Sequence, residues 1–183
     1  MTEDFFVLEL NMNINIMNRF LSEENIKKHL EYLRTLRLKY SVLLKSVPSL
    51  DGASMIEVAR LSVERKVREE ALELLWNIKS HELFFNSFAD KQIWERKDMS
   101  KERLLYDVLT LSYDRSHGFI YLYNDKKGNI KISHTECYDG AFVTYEPLLC
   151  IDICEHAYFN DYGFKKDRYI RGALSCLNTG KLS

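Results

Sequence analysis

The chain has 183 residues, 46% hydrophobic, 29% charged and 13% aromatic, which is enough for about one domain or two small halves sharing an interface. Twenty-six basic against 27 acidic residues leave a formal charge of −1, which argues against nucleic-acid binding by bulk electrostatics. Two prolines and seven glycines exclude collagen-like and linker-dominated chains, and five histidines are a thin supply for a metalloprotein, so their positions matter.

In chain order, an Asn-rich lead (Asn11 to Asn18) precedes Ser22-Glu23-Glu24-Asn25, where Ser22 is the predicted N-cap and the acids fall in the first turn of a helix. Ile26, Leu30, Leu33, Leu36, Tyr40 and Leu44 then recur at helical steps, and Val47-Pro48-Ser49-Leu50-Asp51-Gly52 ends the run. From Met55 to Asn86 there is no proline or glycine, and the length predicts two helices or a bend. A short helix is predicted over Arg103 to Tyr113. Gly118 to Tyr123 reads as a strand, Asn124 to Asn129 as a turn, Ile130 to Ser133 as a second strand, and Pro147 to Ile153 as a third, buried one. Asp167 to Leu177 closes the chain as a helix. The expected class is α+β: an N-terminal helical hairpin over 1–90, then a C-terminal unit over 91–183 with a small, about three-stranded antiparallel sheet flanked by helices.

Cys137, Cys150, Cys154 and Cys176 form no C-x-x-C pair, and the expectation is reduced, buried thiols in an intracellular protein. No apolar run approaches the roughly 20 residues that span a bilayer. The acidic start lacks a signal-peptide pattern, so the cytoplasm is the default compartment, with the mitochondrion open if a presequence was removed.

Asp152 and His156 sit four apart at the exit of the third strand, a spacing that lets a carboxylate and an imidazole share a metal, although a capping Asp and a core His give the same pattern. His29 and His81 lie among apolar residues of two different helices, where a lone histidine is ordinarily a hydrogen-bonded core residue. If all four converge, they make a three-His, one-Asp site suited to Fe or Mn with an open position. Periodicity does not show convergence.

The stretch Asp152-Ile153-Cys154-Glu155-His156-Ala157-Tyr158 resembles the D-x-W-E-H-A-Y signature of the iron/manganese superoxide dismutases, with Cys154 in the tryptophan position. Leu21 to His29 is similar to the segment that carries the family's first histidine ligand, Ser80 to Phe88 to the one that carries the second, and Gly118-Phe119-Ile120-Tyr121-Leu122 to its G-W-x-W-L motif. The likeness is collinear over nearly the whole chain, including Phe6 to Leu21. It implies one Mn or Fe ion per chain held by His29, His81, Asp152 and His156 between the two parts of the fold, superoxide as substrate, and a homodimer in which Glu155 reaches the partner's histidine ligand. Asn77, Tyr138, Cys154 and Phe119 fall around the metal, the first two at the places from which the family takes the glutamine that holds the metal-bound solvent.

Several of these surroundings depart from the family. The gateway tyrosine falls at Arg37, the histidine before it at Leu33, and that histidine's tyrosine partner at Phe159; Tyr40 replaces the gateway residue only if the first helix bulges by three residues. The resemblance therefore implies either a divergent dismutase or a dismutase-like structural subunit, for example of a mitochondrial ribosome. A neutral chain weighs against the ribosomal role, and no membrane association is expected.

Overall fold

A computed structural model describes residues 14–90, 94, 96–138, 141–144 and 146–182; the Phe6 to Asn13 part of the N-terminal likeness lies outside them. Helix α1 is Ile14–Met17, and α2 is Glu23–Ser46. Ser22 caps α2 by accepting from the Asn25 amide at 3.1 Å, as the Ser-Glu-Glu pattern predicts. A 3-10 turn over Pro48–Leu50 interrupts the chain. The long apolar stretch after it divides in two: α3 is Met55–Arg60, started by a full capping box between Ser54 and Glu57, and α4 is Arg65–Phe85.

Helix α5, Lys101–Ser112, leads into β1 (Phe119–Asn124), β2 (Ile130–Thr135), the short α6 (Ala141–Thr144) and β3 (Leu149–Asp152). Helices α7 (Glu155–Tyr162) and α8 (Lys166–Cys176) follow, with a last 3-10 turn over Thr179–Leu182. The sheet is antiparallel in the order β2-β1-β3, so the predicted class holds, with strand ends displaced by one or two residues. β3 is buried along its whole length, as its unbroken Leu-Cys-Ile run requires.

Three sets of polar contacts fix how the helices meet the sheet. The Asp161 carboxylate of α7 accepts from the Ser22 amide (2.7 Å) and from Asn25 Nδ2 (3.1 Å), which bolts the start of α2 to α7. Ser87, just past α4, accepts from the Cys150 amide at 2.8 Å and so ties α4 to β3. The Tyr169 hydroxyl of α8 donates to the Asp152 carbonyl at 2.7 Å.

The thiols do not all behave as expected. Cys150 and Cys176 are buried, but Cys137 is exposed and Cys154 half-buried, because these two sit in the connections at the ends of β2 and β3 rather than inside an element.

Gly118, just before β1, has φ +103°, and a Cβ there would lie 2.2 Å from the Thr135 carbonyl oxygen. Both the backbone conformation and the approach of β2 demand glycine. Gly118→Ala is expected to destabilise the fold by about 3 kcal/mol. That lowers the thermal midpoint by roughly 6–12 °C in circular dichroism, and an unchanged midpoint would refute the argument.

Candidate metal centre

The four sequence-predicted residues come from three parts of the chain and meet at one point. His29 lies on α2 two turns in from its cap, His81 on the last turns of α4, Asp152 at the end of β3, and His156 in the first turn of α7. Asp152 Oδ2 is the common neighbour: His29 Nε2 is 3.1 Å away, His156 Nε2 3.2 Å and His81 Nε2 3.5 Å. One ligand atom from each of the four lies within 4.8 Å of every other.

The local chain explains each placement. After the strand, the Cys154 amide donates to Asp152 Oδ1 at 2.8 Å, a turn that leaves Oδ2 free and opens α7 with His156 on the same side. His81 Nδ1 lies 2.7 Å from the Asn77 carbonyl, one turn back on α4. That carbonyl fixes the ring proton on Nδ1 and presents the Nε2 lone pair to the other donors.

These side chains fit a cation better than they fit one another. His29 and Asp152 are buried, and although their facing atoms are close, neither His29 Nε2 nor Asp152 Oδ2 makes a directed hydrogen bond. His81 Nε2 faces His156 Nε2 at 3.2 Å. Buried polar atoms without partners are costly, and they become satisfied if they bind a shared ion. Donors held about 2.1 Å from one ion stand roughly 3 to 4 Å apart, in keeping with the observed separations.

Electrostatics agree. Burial would raise the Asp152 pKa, but the imidazoles of His156 and His29 outweigh it and hold the carboxyl well below the usual range. Burial pulls the His29 imidazole down and His81 to about 4, so both are neutral donors at pH 7, as metal binding requires. His156, also desolvated, is pushed up because Asp152 more than compensates.

A cavity of about 510 Å³ opens over His156. Phe119 forms part of its wall, with its ring edge-on to His81 at 5.1 Å, and Cys154 caps the turn beside it, where Sγ accepts from the Gly118 amide at 3.1 Å. Burial first, then Asp152, pushes the Cys154 thiol up, so it stays protonated. Glu155 is exposed at the cavity rim. Asn77, which lines this cavity, and Tyr138, beyond β2, are both half-buried, and neither is a glutamine. The Asn77 amide donates back to the Glu73 carbonyl and to Glu73 Oε1, both at 3.2 Å.

The replacement of the gateway residue is also resolved. Helix α2 runs unbroken, and the Tyr40 hydroxyl donates to the Leu50 carbonyl at 3.3 Å, so Tyr40 does not reach the site. Arg37 pairs with Glu82 at 2.7 Å, Leu33 is buried, and Phe159 is 41% exposed against Phe164. The aromatic ring over the centre is Tyr32, 4.6 Å from the His156 ring and 5.3 Å from that of His81. Sequence reasoning missed it, although a position three after His29 shares that helix face. Glu73 was also missed; with Asn77 and His81 it forms one stripe of α4 at four-residue steps.

No helix among the described residues is long and apolar enough to cross a membrane. A comparison with curated proteins gave no match. Residues 99–182 match the family model described as iron/manganese superoxide dismutases, C-terminal domain. That segment supplies Asp152 and His156, the helices before it bring His29 and His81 to the same point, and the match supports membership of the iron/manganese superoxide dismutase family.

Proposed function

We propose that the protein is a superoxide dismutase that holds one Mn or Fe ion at His29, His81, Asp152 and His156 and converts superoxide to oxygen and hydrogen peroxide. The observation that carries this reading is the buried group itself: three imidazoles around one carboxylate oxygen, with directed partners missing at His29 Nε2 and Asp152 Oδ2. A redox-active ion in that site supplies the one-electron exchange with superoxide.

The chain's own residues prepare the site for it. Asp152 supplies the compensating negative charge, and the Asn77 carbonyl orients His81. Tyr32 narrows the way in over two imidazoles and retains its phenolic proton; burial first, then Cys154, Asp152 and Glu73, push its pKa up. The same reading divides the chain into a helical unit, 1–90, and an α/β unit, 91–183, with the metal between them. It makes the molecule a homodimer with exposed Glu155 at the interface.

One observation favours a second reading, a structural subunit that holds a metal without turnover or holds none: the Asn77 amide is tied to Glu73. Metal content and superoxide dismutation measured on the same purified sample separate the two. The dismutase reading expects about one Fe or Mn per chain, by the four-donor set, with activity that chelation removes and the ion restores. A stoichiometric ion without activity supports a structural metal, and no uptake on reconstitution overturns the metal site.

A further inference from the structure

The two positions from which a solvent-holding amide would be drawn, Asn77 on α4 and Tyr138 beyond β2, are bound by one carboxylate. Glu73 Oε1 accepts from Asn77 Nδ2 at 3.2 Å, and Glu73 Oε2 accepts from the Tyr138 backbone amide at 3.0 Å. Glu73 is half-buried and lines the cavity that opens over His156. A group that accepts from two separate segments ties them together, and a carboxylate that does so at a cavity wall also leaves a negative charge on the approach.

The remaining charges of the cavity do not reverse that sign. Its described lining carries three carboxylates, Glu73, Glu136 and Glu155, and no lysine or arginine. Glu136 has a cation beside it, with Arg115 Nη1 3.6 Å away, and His117 Nε2 lies at the same distance. Both donors to Glu73 are neutral amides, so its hydrogen bonds orient the charge without cancelling it. A fixed charge in a cleft is screened less than one on the open surface.

We infer that Glu73 is a specificity-determining residue of this site: it positions Asn77 and the Tyr138 segment and sets an electrostatic barrier to small anions approaching the metal. Neutral molecules and water are favoured over anions of the same size, and superoxide enters against this barrier. This inference rests on the metal-site reading above and deepens it.

The test uses iron-loaded protein and sodium azide as the anionic probe, with binding read from the visible spectrum of the ferric ion rather than from turnover. Glu73→Gln is expected to tighten azide binding about three- to tenfold at low ionic strength, with the difference shrinking as salt is raised past about 0.5 M. Glu73→Asp, which keeps the charge but shortens the reach, is expected to stay within about twofold of wild type. Glu136→Gln, at a carboxylate that has Arg115 3.6 Å away, is expected to change azide affinity less than Glu73→Gln does. Azide affinity unchanged in Glu73→Gln, or a gain that persists undiminished at high salt, overturns the inference while leaving the metal reading intact. A chain that takes up no iron overturns the metal reading and this inference with it.

Discussion

Asp152→Asn is expected to give a folded protein that does not retain its ion, with metal content after gel filtration below about a tenth of wild type and affinity reduced more than about 100-fold. Loss of a group that merely supports a ligand typically costs 10- to 100-fold, and Asp152 is the group all three imidazoles share. The asparagine oxygen can still accept from the Cys154 amide, and the Tyr169 hydroxyl still has the backbone carbonyl at 152. What disappears is the one negative charge in the group, and an amide nitrogen facing three imidazole nitrogens cannot serve as a ligand. Elemental analysis with circular dichroism on one sample checks both halves of the expectation. Wild-type metal content in the variant would show that the ion is bound elsewhere.

Chelating the ion from the wild-type protein is expected to lower its thermal midpoint by about 8–16 °C. A ligand present at 1,000 times its Kd stabilises the folded state by about 4 kcal/mol, and 1 kcal/mol is worth about 2–4 °C in a chain of this size. The structural reason lies in what the ion leaves behind: a buried carboxylate oxygen and a buried imidazole without directed hydrogen bonds, and two imidazole nitrogens facing each other at 3.2 Å. The unfolded chain has no preformed site, because the donors are separated by up to 127 positions, from His29 to His156. Re-adding Fe or Mn restores the midpoint. A midpoint insensitive to chelation would mean that the four side chains satisfy one another and that no ion contributes to folding.

Much of the architecture was legible from local chemistry. The Ser22 cap, the break at Pro48, the turn at Asn124 to Asn129 and the buried run before Asp152 each depend on residues within one turn or one strand of each other, and each appears where those residues place it. The four-residue spacing of Asp152 and His156 was visible for the same reason. The resemblance added His29 and His81, which periodicity alone would have left as core histidines.

The environment of the site was less legible, since it depends on contacts between distant segments. A count along the first helix put the gateway position at Arg37, yet Arg37 is held by Glu82 of α4, and Tyr32, one turn earlier, covers the imidazoles. Tyr40 packs toward Leu50 because the chain turns back after α2, which no helical wheel records.

The sequence by itself determined the order of the longer helices and the three strands, the four donor types and the metal chemistry those donors suit, because capping, turn residues and donor identity are properties of short segments. Only the tertiary structure decided that four donors from three segments converge, that Tyr32 and not Tyr40 stands over them, and that Glu73 binds Asn77 and Tyr138 together. Those facts follow from how α2, α4 and the sheet pack, and the packing is set by buried surfaces and by bonds such as Ser22 to Asp161, across 139 positions of the chain.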